Sequence, residues 1–433
     1  MRGSKGLEYF HKLESLEGRK FAPLETAIKL LAKLGNPQEK VKSIHVAGTN
    51  GKGTVCSLLS AMLYAEGYSV GQSCSPHLMN VNERCLINGK PQNFQEFGEA
   101  IEAVVEICEE ENLVPSYFVL GVVASFYEFA RLGLDWMVIE VGLGGEQDAT
   151  NLMTSPQASV ITNISLDHTE ILGKTEIEIS RSKAGIAKKD VPLFVGEVSP
   201  EVRAEVARIA LERKAVPFFY NQEFSYHQET SEIEIVGKAK LQLELGKLFL
   251  SGKHQKRNAI LASSVANYLG LSSSSINKGL QIARWPGRLE YVDNRNGLFL
   301  LDVAHNPGGI EVLNDYILEE VIKKYKDISF MISILSRKDW KGMLDLLSKL
   351  KSALATKDIK ANFIFTNSDH YQSADPKMLQ EYFGSGEIAE SCDKGLELAA
   401  KTNSELVIVT GSLFLVGKVR PMIGVEGYCS IEG

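Results

Sequence analysis

The chain is short of the residues that would place it in an oxidising compartment, a membrane or a nucleic-acid complex. Its six cysteines (Cys56, Cys74, Cys85, Cys108, Cys392 and Cys429) form no C-x-x-C pair and no Cys/His zinc spacing. A disulfide framework and a structural zinc site are therefore not expected, and the thiols read as reduced. No apolar run reaches membrane-spanning length. The opening MRGSKGLEYFHKLE carries charges throughout and no apolar h-region, so no signal peptide is read and a cytoplasmic location is expected. A basic excess is also lacking. The formal net charge of −7 argues against nucleic acid or an anionic membrane surface as a partner. Low-complexity segments and short-period repeats are absent from the sequence.

What is present is the composition of a globular protein, 44% hydrophobic and 23% charged. At 433 residues the chain exceeds one ordinary core, and two domains are expected, 1–286 and 287–433. In the first, β-rich runs at 43–47, 68–73, 136–141, 158–164 and 191–196 alternate with helical periodicity at 55–65, 94–110 and 118–132. That pattern predicts a mostly parallel sheet covered by helices. Across 232–250 apolar residues alternate around Gly237 and Gly246, which predicts antiparallel hairpins. Ala283-Arg284-Trp285-Pro286-Gly287-Arg288 reads as a linker punctuated by Pro-Gly. Beyond it, strands near 298–303, 328–335, 362–366 and 406–410 predict a second, smaller, Rossmann-like α/β domain.

The most informative segment is Val46-Ala47-Gly48-Thr49-Asn50-Gly51-Lys52-Gly53-Thr54, placed between an apolar strand and an amphipathic helix. Such a loop turns backbone N–H groups and a helix N-terminus toward phosphate oxygens. Lys52 would reach the outer phosphates, and Thr54 would offer a hydroxyl near a magnesium ion. In the standard phosphate loop Ser or Thr follows Gly-Lys at once, and here Gly53 intervenes. The bland alternative is a glycine-rich turn with a surface lysine.

Further candidates sit at strand ends, where open α/β sheets bind ligands. Glu140, heading Glu140-Val141-Gly142-Leu143-Gly144-Gly145, is suited to hold magnesium, although an acidic residue after an apolar run is common. His168, in Asn163-Ile164-Ser165-Leu166-Asp167-His168, is a candidate metal ligand or phosphate contact, or a structural histidine. Lys183 lies in a helix whose charges read as ordinary and solvated. Asp302-Val303-Ala304-His305-Asn306-Pro307-Gly308-Gly309 reads either as a capped strand-exit turn or as a nucleotide or substrate clamp.

In order along the chain, AGTNGKGT, CSPHL, NER, EVGLGG with DATN, LDHT, KAGI, GKHQKRNA, WPGR, DVAHNP and TGSLFLVG resemble the folate branch of the Mur ligase family, the folylpolyglutamate and dihydrofolate synthases. The resemblance runs from about Leu24 to Arg420. It implies an ATP-dependent ligase that phosphorylates a pterin-linked carboxylate and passes the acyl group to L-glutamate, with folate or dihydropteroate as acceptor and a monomer as the working form. By the same resemblance Thr49, Asn50, Gly51, Lys52, Gly53 and Thr54 hold ATP phosphates. Asn258, Arg288 and Asp302 make further ATP contacts. Ser75 and Glu140 match ligands of one Mg2+, and His168 a ligand of the second. Lys183 matches a lysine carried as a carbamate. Ser116, Phe118, Gln147, Asp148 and Ala149 match the pterin site, and His305 and Ser412 the region of the incoming glutamate. The resemblance leaves a monovalent-cation requirement open, and it places the active site in the interdomain cleft, completed by closure. Two departures stand out. Glu146-Gln147 replaces an Arg-Leu pair common in bacterial members, putting an anion near the substrate loop and favouring folate elongation over action on dihydropteroate. Val119 follows Phe118 where a glutamate is common.

Two other readings compete. One is a cell-wall UDP-muramoyl peptide ligase, against which the Gly-Lys-Gly-Thr loop argues. The other is a nucleotide-binding switch without ligation, which has no use for the set Ser75, Glu140, His168 and Lys183.

Overall fold

The computed structural model describes residues 3–15 and 24–432. The chain divides into two compact units. The first comprises Met1–Phe249, Gln255–Trp285 and Tyr428–Gly433, and the second Leu250–His254 and Pro286–Gly427.

The first unit is built on eight strands: β1 (Lys42–Ala47), β2 (Val70–Ser73), β3 (Cys85–Ile87), β4 (Lys90–Pro91), β5 (Trp136–Glu140), β6 (Ala158–Ile161), β7 (Pro192–Val195) and β8 (Val216–Phe219). Their order is β4-β3-β2-β5-β1-β6-β7-β8. From β2 to β8 neighbours run parallel, and β3 and β4 form an antiparallel edge hairpin. The central strands are apolar because both faces are covered; every residue of β5 is buried. Met137 and Ile139, two apart and so on one face, join a core with Phe10, Leu30, Phe97, Ile101, Tyr117 and Phe126 from four helices. A separate cluster of Ala47, Ile161, Leu193, Ile179 and Val206 seats the helices Glu176–Ala184 and Pro200–Glu212.

A small antiparallel sheet follows, of β9 (Phe224–His227), β10 (Glu232–Ile235) and β11 (Leu241–Gln242), ordered β11-β10-β9. Ile233 and Ile235 point inward, as the alternation predicts. The predicted alternation does not persist to residue 250. Beyond Gln242 the chain turns through the 3-10 helix Leu245–Lys247 around Gly246, and Leu243 and Leu250 are buried from irregular backbone.

The second unit holds β12 (Glu290–Asn294), β13 (Gly297–Leu301), β14 (Asp327–Ile332), β15 (Lys360–Thr366), β16 (Glu387–Ala389) and β17 (Leu406–Thr410), ordered β12-β13-β17-β14-β15-β16. All neighbours are parallel except the β12–β13 hairpin. Its core gathers Leu300, Ile310, Phe330, Ile332, Leu347 and Phe365. The mixed α/β architecture expected from the sequence is present, with its small antiparallel sheet and its second α/β unit. No helix among the described residues is long and apolar enough to cross a membrane.

Candidate active site

Strand order assembles the site. In the first unit β2, β5, β1 and β6 are consecutive neighbours. Their C-terminal ends deliver, in that order, Ser75, Glu140 with its glycine turn, the loop 48–54, and the segment 162–168. Motifs more than a hundred residues apart in sequence thus share one edge of one sheet, the edge where parallel sheets bind ligands.

The loop after β1 is held from outside itself. Asn163 accepts from both Thr49 and Asn50: the Thr49 N–H donates to the Asn163 carbonyl (2.9 Å) and the Asn50 N–H to its Oδ1 (2.9 Å). Thr162 Oγ1 donates to the Asn50 carbonyl at 2.6 Å. Gly48 (φ 147°) leaves no room for a side chain, since a Cβ there would lie 1.8 Å from Thr162 Oγ1. Gly51 (φ 81°) faces Asn258, with Oδ1 2.7 Å from where a Cβ would be. Asn258 is itself oriented by donating Nδ2–H to Gln255 Oε1 at 2.9 Å. Gly53 faces Trp285, whose Cζ2 lies 2.3 Å from a Cβ at that position. The residue that departs from the standard loop is therefore the one an indole covers. Trp285, Thr162 and Asn163 carry no role in the sequence reading; the inserted glycine was the signal that a bulky group lies over it.

Lys52 is half-buried and donates Nζ–H to the Thr49 carbonyl at 3.1 Å. Lys183 corrects the sequence expectation of a solvated charge. It is 4% exposed, and its Nζ donates to the Gly48 carbonyl at 2.8 Å. Burial, then the nearby Lys52 charge, depress its pKa to about 7, against the pull of Asp167 and Asp148.

Glu140 is 7% exposed and accepts the Ser75 N–H at 3.2 Å. Burial raises the Cys56 thiol well above its ordinary pKa; the Glu140 charge adds to this and Lys52 opposes it, so both charges lie near one thiol. The segment carrying Ser75 is fastened by Glu83 of the NER motif, whose carboxylate accepts the N–H groups of Leu78 (2.7 Å), Met79 (3.1 Å) and Asn80 (3.0 Å). His168 is the more exposed member, 39% by side chain, with a left-handed backbone (φ 50°) and Nε2 3.9 Å from Asp167 Oδ2. Among the described residues no three His, Cys, Asp or Glu side chains converge as a metal cage. Magnesium needs no such cage, because it keeps waters and phosphate oxygens and takes one or two protein oxygens. The hard oxygen donors Glu140 and Ser75 fit that requirement.

At the start of the helix Tyr117–Arg131, Ser116 caps by accepting the Val119 N–H at 3.2 Å. Tyr117 turns into the core, stacked on Phe10 with centroids 4.2 Å apart. Phe118, half-buried, turns onto the turn after β5, its Cζ 2.4 Å from where a Gly142 Cβ would stand. Asp148 is buried and shapes that turn: it accepts Leu143 N–H (2.8 Å), Thr150 N–H (3.0 Å) and Thr150 Oγ1–H (2.6 Å). Burial raises its pKa despite these donors. Ala149 is buried and Gln147 exposed. Glu146, read as an anion facing substrate, is ion-paired with Arg213. The anion thus carries a cationic partner 67 residues on.

In the second unit Asp302 and His305 follow β13, and Ser412 follows its neighbour β17. Asp302 is buried, accepts the N–H groups of Leu289 (3.0 Å) and Ala304 (2.9 Å), and has its pKa raised by burial against the Arg288 charge. His305 Nδ1 lies 3.0 Å from the Val303 carbonyl, which fixes the proton on that nitrogen. Ser412 is 1% exposed and caps its helix by accepting the Phe414 N–H at 3.2 Å.

Comparison with known proteins accounts for this arrangement. Residues 46–266 match the Mur ligase middle domain, and residues 287–422 the dihydrofolate synthetase C-terminal domain. The dihydrofolate synthase/folylpolyglutamate synthase of Bacillus subtilis is 31% identical over 425 residues, covering 90% of this chain and 93% of the relative. The chain belongs to the folylpolyglutamate synthase/dihydrofolate synthase family. Two solved members of that family have the same fold. Escherichia coli FolC, in complex with DHPP and ADP, superposes with a TM-score of 0.85 at 28% identity over 98% of this chain and 99% of its own. The bifunctional synthase of Yersinia pestis, complexed with AMPPNP and Mn, gives 0.83 at 28% over 98% and 99%. The cell-wall peptide-ligase alternative is not favoured by these relatives.

Proposed function

We propose that this chain is an ATP-dependent ligase that adds L-glutamate to a folate carboxylate, with dihydropteroate as a second acceptor. The observation that carries the proposal is the shared edge of the first unit's sheet: a glycine-rich loop bearing Lys52, a buried lysine against Gly48, and the Glu140–Ser75 pair on the adjoining strand ends. Family membership supports the substrate class.

A carboxylate is a poor acyl donor because oxide is a poor leaving group. In the proposed reaction the acceptor carboxylate attacks the γ-phosphorus of ATP and ADP departs, leaving an acyl phosphate. The glutamate amine attacks the acyl carbon, loses a proton, and inorganic phosphate leaves as the amide forms. Such chemistry asks the protein for positioning and positive charge. The backbone N–H groups of 48–54 and the Lys52 ammonium supply both at the phosphates. Asn258, packed against the loop at Gly51, and Arg288 and Asp302 of the second unit are assigned to ATP. A divalent ion held by Glu140 and Ser75, with His168 assigned to a second, would supply further charge against the phosphoryl oxygens. Phe118 offers a ring for a pterin to stack on, beside Ser116 and the turn Gln147-Asp148-Ala149. His305 and Ser412 are assigned to glutamate.

Lys183 has a finer assignment. With its pKa near 7 a large share is neutral amine at physiological pH. A neutral amine adds to carbon dioxide, forming a carbamate and releasing a proton, which converts a buried cation into an anion beside the phosphate loop.

The test is glutamate-dependent phosphate release from ATP, run in parallel with 7,8-dihydropteroate and tetrahydrofolate. Turnover with both is expected, since Glu146 is ion-paired with Arg213. Turnover with tetrahydrofolate alone would restrict the enzyme to elongation. Glutamate-independent release, or none, would overturn the proposal.

A further inference from the structure

The chain leaves the first unit at Trp285 and returns to it at Tyr428. The returning segment is built into the phosphate-loop helix Lys52–Ala65 through the residues just before Trp285. Ser57, on that helix, is fully buried; its hydroxyl donates to the Arg284 carbonyl at 2.7 Å and lies 3.0 Å from that of Ser430. The Arg284 N–H donates to the Ser430 carbonyl at 2.8 Å, and the Glu432 N–H to the Ile282 carbonyl at 2.8 Å. Ala283 and Ile431 form an antiparallel bridge. The Ser430 N–H donates to the Gly89 carbonyl, at the tip of the β3–β4 hairpin, at 2.8 Å. Tyr428 meets Trp285 edge to face, centroids 6.1 Å apart and planes at 81°. The indole so held covers Gly53, with Cζ2, Cε2 and Nε1 at 2.3, 2.6 and 2.8 Å from where a Cβ would project.

We propose that Trp285, pinned by the returning segment Tyr428–Glu432, is a positioning residue for the nucleotide: it clamps the first turn of the phosphate-loop helix, and residue 53 is glycine because the indole takes the place of its side chain. This rests on the assignment of 48–54 to ATP phosphates. The clamp acts next to Lys52, on the backbone whose N–H groups face the phosphates. Ser or Thr directly after the lysine, as in the standard loop, is incompatible with this tryptophan. Loop and indole are therefore a matched pair.

A double-mutant cycle tests it. Binding of AMPPNP is measured by titration calorimetry for the full chain, Gly53→Ala, Trp285→Ala and the double variant, with KM values for ATP and the folate acceptor alongside. Gly53→Ala should weaken AMPPNP by about 10-fold or more in the presence of the indole, and by less than about 2-fold once Trp285→Ala has made room. Trp285→Ala alone should raise the KM for ATP by about 5-fold while the acceptor KM stays within about 2-fold, and Trp285→Phe should recover most of the loss. Tyr428→Ala should give about a 3-fold weakening in the same direction. Equal cost of Gly53→Ala in both backgrounds, or equal rises in both KM values, would overturn the clamp, and an unchanged Tyr428→Ala would remove the returning segment from it. Thermal unfolding of each variant separates a binding loss from a folding loss. If the full chain binds AMPPNP without transferring glutamate, the proposed reaction fails while the clamp is judged on binding alone. If it binds no AMPPNP, both fail.

Discussion

The loop after β1 and the turn after β13 both end a parallel strand, and they differ in how much of their bracing is local. Residues 48–54 take their shape from Thr162, Asn163, Lys183, Asn258 and Trp285, all distant in sequence. Residues 302–309 carry more of their bracing locally: Asp302 accepts the Ala304 N–H, His305 bonds the Val303 carbonyl, and Asn306 caps its own helix through the Gly309 N–H at 2.8 Å. Outside support comes from residues 287–289, where the Leu289 N–H donates to Asp302 and the Gly287 carbonyl accepts the Val303 N–H. A loop with many glycines has high conformational entropy to lose, so its bound shape must be supplied by neighbours. A turn with an Asx cap and a proline carries its own restraint. Damage at a distance should therefore reach the first site far more than the second.

The largest effects should fall on the externally braced loop. Lys52→Ala removes the charge assigned to the phosphates and should lower glutamate-dependent phosphate release by roughly 10³-fold. Surviving ATP-dependent ligation would remove the loop from catalysis. Lys183→Ala should be inactive although only the resemblance, through KAGI, marks it, with partial recovery when a short carboxylic acid is added if the carbamate assignment holds. Full activity in that variant would refute the assignment.

Lys183 also makes a stability prediction. Its pKa falls from 10.5 in the unfolded chain to about 7 in the fold. Between those values the unfolded chain binds more protons, so stability rises with pH across the window and flattens below it. Relative to Lys183→Met, the native chain in carbon-dioxide-free buffer should gain roughly 3 kcal/mol between pH 7 and about pH 9.5, read from urea midpoints. Parallel pH curves for the two proteins would mean that the lysine is not buried as a neutral amine.

The contrast also explains what could be read in advance. The phosphate loop, the strands β1, β5 and β17, and the helices around them were legible because glycine spacing and hydrophobic period are local signals. The burial of Lys183 was not: the resemblance marked the residue, but the helix Glu176–Ala184 has the composition of a charged surface and only its packing against Gly48 buries the one lysine. The partner of Glu146 was hidden for the same reason: Arg213 lies 67 residues on. The edge strands β12 and β16 went unread because short edges carry little periodicity. Trp285 was visible as part of a linker, and only the fold reveals what the indole covers.

A middle-sized effect belongs to Phe118, whose ring rests on Gly142. Phe118→Ala should raise the KM for the pterin-bearing acceptor by about 10-fold and that for ATP by less than about 2-fold. Equal changes would mean that the ring supports the turn after β5 without stacking on substrate.

The smallest effect should come from the more locally braced turn. Asn306 Oδ1 accepts the Gly309 N–H, one of the first N–H groups of the helix Pro307–Glu319 that lack a partner within the helix. Asn306→Ala removes that acceptor at a side chain only 3% exposed and should cost about 1–2 kcal/mol, whereas Asn306→Asp keeps an acceptor in place and should cost less. Urea unfolding followed by far-UV circular dichroism measures both. A local cap fails locally, so the loss should stay near the value of one cap. A loss above about 3 kcal/mol would exceed any single cap. It would mean that the turn after β13 is braced from a distance, as the phosphate loop is, and the distinction between the two strand ends would fall.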